Sequence, residues 1–306
     1  MRLFDLASNP RTIRLGVFAS RYVPSSVGYR LSRWTSDLIS RRKPEVFRIL
    51  CTNLAQVLGP GVEPETVQAA ARRVMFHFLH GYYDLFRSLR QPYEEVLSRV
   101  SVSDRMLSTI EACAEQGRGL ILVMAHIGNF DLAGQVVSYY VPNLQVITLA
   151  DPPAGFLSLN ELRTRGGSEV TPLSPAALRR AIGVLREGGI VVVAGDRPVS
   201  NLDDPVPFFG RPARVPSGHV RLALRTGAAL AVTYCAASPE TGDYVVDAEP
   251  ILELVRTGDR RQDLQLNMQR VLDSLEDVVR RWVDQWMMFV PVWPDLSETR
   301  KTGCAR

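Results

Sequence analysis

The 306-residue chain is 46% hydrophobic and 22% charged, with a formal net charge of +4; that length and apolar content can bury a core, which excludes a disordered or fibrous chain. Its cysteines, Cys51, Cys113, Cys235 and Cys304, lie far apart and form no CxxC pair, which argues against a zinc site or a disulfide framework and for a reducing compartment. No run reaches the roughly eighteen apolar residues that a spanning helix needs, and arginines interrupt the early apolar stretches too often for a signal peptide.

Charge is concentrated at the start of the chain. Residues 1–43 hold nine basic side chains (Arg2, Arg11, Arg14, Arg21, Arg30, Arg33, Arg41, Arg42, Lys43) against Asp5 and Asp37, so this segment carries +7 and the remainder −3. Interleaved with Leu, Val, Phe, Tyr and Trp, such a segment suits an anionic phospholipid surface better than a nucleic-acid groove. A solvated basic face is the competing reading. Residues 11–90 read as helices, among them "VGYRLSRWTSDLIS", "PEVFRILCTNLAQVLG" with its leading proline and trailing glycine, and "EPETVQAAARRVMFHFLHGYYDLFRSL".

From about residue 100 helix and strand alternate. A helix over 102–116 leads into a strand at 119–125, then come a helix over 129–140, the strand "LQVITLA", a helix near 157–165, the short strand "EVTPL", the helix "PAALRRAIGVLREGG" and the strand "IVVVAGD". After a loop with "PFFG", a helix from Gly218 to Thr226 precedes "ALAVTYCAA", its expected partner strand "DYVVDAEPIL", and a terminal helix over 261–285. Short apolar runs separated by helices of ten to fifteen residues predict an α/β fold, a mainly parallel central sheet flanked by helices. No repeat or long linker divides the chain, so 1–306 is expected to be one domain, with a helical basic region over 1–90 and an α/β core over 100–295.

Within "GLILVMAHIGNFDLAG" five apolar residues run into His126. Ligands of open α/β sheets sit beyond the carboxyl ends of the strands, which is where His126 falls. Gly128 permits a tight turn, Asn129 suits the N-cap of the next helix, and Asp131 would lie in its first turn. From there Asp131 is expected to hold one imidazole nitrogen while the other serves as a general base. The alternative is a histidine satisfied by a backbone carbonyl and an aspartate acting as a helix N-terminal charge. No G-x-S-x-G elbow supplies a nucleophile, so the substrate must bring its own, as a hydroxyl does when it accepts an acyl group from a thioester.

"AHIGNFDLAG" resembles the H-x4-D/E signature of the lipid A biosynthesis lauroyl/myristoyl acyltransferase family, which includes phosphatidylinositol mannoside acyltransferases. "NELRTRGGSEV", with Arg163 and Gly167, "GGIVVVAGDRPVS", "PFFGRPARVPSGHVRLALRTGAALA" and the closing "QWMMFVPVWP" extend the resemblance over about residues 10–295. It implies an enzyme on the cytoplasmic face of the plasma (inner) membrane, bound peripherally through its basic N-terminus. Such an enzyme moves a long fatty acyl chain from acyl-CoA or acyl carrier protein to a hydroxyl of a glycolipid or lysophospholipid, with no metal or further cofactor and no nucleic-acid partner. It carries His126 and Asp131 over as the catalytic pair. Some members hold the histidine with an acid just before Phe-Phe-Gly; here Asp204 is near that place, with Pro205 in the register position.

Asp196 and Arg197 end a strand on the same edge as His126, and either line the site or form an ion pair that fixes a loop. Arg163 is a candidate for a donor phosphate or an anionic headgroup, against a plain surface arginine. His77, His80 and His219 are expected to be structural. "WMMFVPVW" reads as a lid over the acyl chain, an interfacial contact or core. A thioesterase or lipase using water, and a lipid-binding protein without catalysis, remain alternatives to the acyltransferase.

Overall fold

A computed structural model describes residues 9–20, 22–89, 91–141, 143–152, 157, 159–160, 163–164, 167–198, 204–238 and 241–294. Four helices come first: α1 (Pro10–Ala19), α2 (Ser25–Arg42), α3 (Glu45–Leu58) and α4 (Pro64–Ser88). After α5 (Tyr93–Leu97) the alternating part runs β1 (Val100–Val102), α6 (Asp104–Glu115), β2 (Leu120–Met124), α7 (Phe130–Tyr140), β3 (Leu144–Thr148), β4 (Glu169–Pro172), α8 (Pro175–Arg186) and β5 (Ile190–Ala194). The hairpin β6 (Val206–Phe208) and β7 (Arg211–Ala213) follows, then α9 (Gly218–Thr226), β8 (Ala229–Ala237), β9 (Tyr244–Ala248) and α10 (Arg260–Arg281), with a 3₁₀ turn at Val283–Gln285. Arg2, Arg21, Cys304 and four of the nine positions of the helix expected at 157–165 lie outside the described residues.

Local chemistry sets many of these ends. Ser103 and Ser174 cap α6 and α8 by accepting the N–H of Met106 and Ala177, and Asp259 accepts from Arg261 and Gln262 at the start of α10. Gly227, at φ +77°, closes α9 in the left-handed conformation that other residues resist.

Seven strands form one sheet in the order β1-β9-β8-β2-β5-β3-β4. All pair in parallel except β8 with β9, which are antiparallel neighbours as the adjacent apolar runs predict. In the buried strand β2, Ile121 and Val123 join a core shared with α3, α4, α8, α9 and α10, while Leu120 and Leu122 face α6 and α7. The period-two alternation of a strand thus feeds two layers of helices.

Three features differ from expectation. β1 is too short for its periodicity to register. The β6–β7 hairpin escapes detection because Pro207 and Pro212 face each other within it, and proline ordinarily argues against a paired strand. Its turn needs positive φ at Phe209 and Gly210, and Glu276 of α10 receives the Phe209 N–H. Finally, the terminal helix stops at Arg281 rather than 285.

Candidate active site

Parallel register brings the histidine to its partner. β2 pairs with β5 through Met124 and Ala194, so the residues two positions beyond, His126 and Asp196, emerge side by side at the carboxyl edge of the sheet. Nδ1 of His126 lies 2.6 Å from Oδ1 of Asp196. The other carboxylate oxygen, Oδ2, accepts the His126 backbone N–H and the Trp286 indole N–H, both at 2.8 Å.

Asp196 is fully buried. Burial pushes its carboxyl up, but His126 and the Trp286 indole more than offset this and hold it below the ordinary carboxylate range. An anion at Nδ1 fixes the proton there and leaves Nε2 as the basic nitrogen. Nε2 has no hydrogen-bond partner among the described residues, and the His126 side chain is 15% exposed.

The turn after the strand is equally determined. Gly128 sits at φ +56°, and a Cβ there would lie 2.1 Å from the Cys235 carbonyl oxygen, so glycine is required for conformation and for space. Asn129 caps α7 by accepting the Leu132 N–H, while its Nδ2 donates to the Gly81 carbonyl of α4. Phe130 then presents its ring edge to the imidazole, with centroids 5.2 Å apart.

Asp131 is not on the histidine, contrary to the sequence expectation. From the first turn of α7 its carboxylate accepts from Nε of Arg163 at 2.6 Å, and Nη1 of Arg163 donates to Asn160 at 2.6 Å. The physical reason is twofold: Asp196 already occupies Nδ1, and Phe130 is the α7 side chain that meets the ring. Arg163 is neither a surface arginine nor free, with its side chain 16% exposed and in an ion pair. Tyr82 of α4 adjoins that pair, and burial with Asp131 raises its hydroxyl well above the usual range.

Arg197 and Asp196 do not form the expected alternative, a loop-fixing ion pair. Among the described residues Arg197 has no salt bridge within 4.0 Å, and burial lowers its proton affinity with only partial relief from Asp196. Asp204 is exposed and 3.6 Å from Arg261 of α10, so it does not hold the histidine. His77 and His80 lie in α4 and His219 in α9, and burial lowers the proton affinity of His77 and His80. The "WMMFVPVW" stretch is core: Trp286, Met287, Met288, Val292 and Trp293 are all buried. The role of Trp286 at Asp196 has no signature in the sequence, because contact between residues so distant along the chain depends on the sheet. Among the described residues no three His, Cys, Asp or Glu side chains converge as a metal site would require.

Residues 13–294 match the family described as bacterial lipid A biosynthesis acyltransferase. The chain belongs to this family. The phosphatidylinositol mannoside acyltransferase of Mycobacterium tuberculosis (strain CDC 1551 / Oshkosh) is 27% identical over 257 residues, covering 81% of this chain and 78% of that protein. The protein of the same name from Mycolicibacterium smegmatis (strain ATCC 700084 / mc(2)155) is 27% identical, covering 81% of this chain and 80% of its own length. The matched segment contains His126, Asp131, Arg163, Asp196 and Trp286. The resemblance read from the sequence holds, and the enzyme is a lipid-modifying acyltransferase.

Proposed function

We propose that this acyltransferase moves a long fatty acyl group from an acyl-CoA or acyl carrier protein thioester to a hydroxyl of a glycolipid, with His126 as general base. The observation that carries the reading is the imidazole bonded at Nδ1 to the buried Asp196 while Nε2 has no hydrogen-bond partner among the described residues. Nε2 takes the hydroxyl proton as the oxygen attacks the thioester carbonyl. The tetrahedral adduct then collapses, the carbon–sulfur bond breaks, and the imidazolium returns its proton to the departing thiolate. Asp196 stabilises the imidazolium between those steps.

The N–H groups of Phe130 and Asp131, first-turn donors of α7 that the Asn129 cap leaves unclaimed, are the candidates for the oxyanion. Asp131 with Arg163 then serves to anchor the helix start that carries them. Arg197, half-buried and without a salt bridge among the described residues, suits a phosphate of the donor or acceptor. Phe130, whose ring meets the imidazole, and Met124, two residues before His126 on β2, are only partly buried, an apolar edge suited to an acyl chain.

Membrane attachment rests on the first two helices. Leu15 and Phe18 on α1, Tyr22 just beyond it, and Val27, Leu31 and Trp34 on α2 are exposed at helical spacing, and the exposed Arg11, Arg14, Arg30, Arg33, Arg41 and Arg42 surround them. No helix among the described residues is long and apolar enough to cross a membrane. An apolar stripe edged with arginine favours lying in an anionic surface, and we place the enzyme on the cytoplasmic leaflet, where acyl thioesters are available.

The test is labelled palmitoyl-CoA with vesicles containing phosphatidylinositol mannoside, the lipid named in the relatives, or another glycolipid. Acylated lipid that disappears in His126→Ala supports the reading. Free fatty acid formed equally without acceptor would make the enzyme a hydrolase.

A further inference from the structure

The bond from Trp286 to Asp196 has a use beyond packing. We propose that Trp286 is a positioning residue for the base: its indole N–H fixes the Asp196 carboxylate so that one oxygen alone faces the imidazole, while the strand around it clamps the histidine loop. This rests on the reading of His126 as general base.

Oδ2 of Asp196 has both lone-pair directions taken, by the His126 backbone N–H and by the Trp286 indole. Oδ1 is left to the imidazole at 2.6 Å. The main chain repeats the theme: Ile127 and Trp286 form an antiparallel bridge, the Met287 N–H donates to the His126 carbonyl at 2.7 Å, and the Gly128 N–H donates to the Gln285 carbonyl at 3.2 Å. Gln285 ties this strap to β8 through both the N–H and the carbonyl of Ala237, at 2.8 and 2.9 Å.

Two other tryptophans provide the contrast. The indole nitrogens of Trp282 and Trp293 are buried with no hydrogen-bond partner among the described residues, so a buried indole in this region does not need a bond. Trp293 packs on the same Phe208 and Phe209 as Trp286. The titratable and charged groups on the elements around His126 are Asp196 and Arg197 at the end of β5, and Asp131 at the start of α7, paired there with Arg163. Behind them are Tyr82 and His77 of α4, with Asp284 before the strap.

Nuclear magnetic resonance on ¹⁵N-labelled wild-type protein tests this without any variant. The Trp286 indole N–H resonance is expected to shift with the same midpoint as the His126 ring, while those of Trp282 and Trp293 do not follow it. A Trp286 resonance that stays flat through the His126 titration overturns the proposal. In Trp286→Phe, the carboxylate loses the donor that fixes which oxygen faces the imidazole, so the ¹⁵N resonance of His126 Nδ1 is expected to shift. With the imidazole less firmly held, kcat falls about tenfold with KM for palmitoyl-CoA unchanged, about the loss of one hydrogen bond. Trp293→Phe removes similar bulk and no bond, and is expected to leave that resonance and kcat where they were. Equal Nδ1 shifts and equal kcat in the two variants would reduce Trp286 to packing. Should no lipid be acylated, the acyl-transfer reading fails while the resonance titration still decides the role of Trp286.

Discussion

An Asp196→Asn substitution keeps the shape beside His126 and removes the charge. Three donors converge on the carboxylate: the imidazole Nδ1–H, the His126 amide and the Trp286 indole. An amide offers one oxygen to these three. If that oxygen faced the imidazole, its NH₂ would abut two buried N–H groups, each costing about 1–3 kcal/mol when unsatisfied. The opposite orientation satisfies both of those donors and points the NH₂ at Nδ1, and it is favoured by roughly 2–6 kcal/mol on the same figures. Nδ1 must then accept, the ring proton moves to Nε2, and the base is lost. A wrong tautomer of this kind costs about 10⁴-fold in kcat, or roughly 5 kcal/mol. The assay is the initial rate of label transfer from palmitoyl-CoA into glycolipid, with circular dichroism to verify folding. Retention of more than about a tenth of wild-type kcat, a loss below roughly 1.4 kcal/mol, in a protein that His126→Ala inactivates would refute the reasoning.

Stability should carry the same signature. Because the folded Asp196 carboxyl is held below its ordinary value, its contribution is present above the unfolded carboxylate value of about 3.9 and is lost as pH falls through the folded one. The difference in urea midpoint between wild type and Asp196→Asn should therefore be steady near neutrality and narrow below about pH 4. Gly128→Ala places a Cβ against the Cys235 carbonyl and is expected to destabilise by about 1–3 kcal/mol from the positive φ and the contact together, with activity falling further than stability; an unchanged melting temperature and kcat would contradict the required turn. Phe18→Glu combined with Trp34→Glu, both at exposed positions, should leave folding intact and weaken sedimentation with anionic vesicles. Two buried aromatics at about 1.5–3 kcal/mol each correspond to at least a hundredfold, and unchanged sedimentation would remove the membrane face.

The elements set by local chemistry and the mainly parallel sheet were legible in the sequence, while the lateral order of the strands was not. Gly218–Thr226 and Ala229–Ala237 coincide with the expected helix and strand, because a left-handed glycine and a continuous apolar run mark them. Gly128 and Asn129 likewise do what their residue types predict. The partner of His126 did not follow, since Asp196 reaches it through the lateral order of β2 and β5, which one chain's periodicity does not encode. Asp131, close in sequence, drew the assignment that belongs to a residue close in space. The strap at Gln285–Met287 was hidden for the same reason: an apolar run with two methionines reads as core, which it is, while the bond its tryptophan makes depends on where the chain returns.

That return has a temporal side. The base, its carboxylate and the clamp are contributed by residues 126, 196 and 286, and a ribosome delivers them in that order. Throughout most of its synthesis the chain holds a histidine with neither a fixed tautomer nor a rigid loop. Domains fold as units once their segments are available, so the basic nitrogen gains its orientation only when the C-terminal strap zips onto residues 126–128. On the proposed mechanism, an unfinished copy therefore holds His126 without the Trp286 bond to its carboxylate, and a copy cleaved before the strap loses that bond with the histidine itself intact.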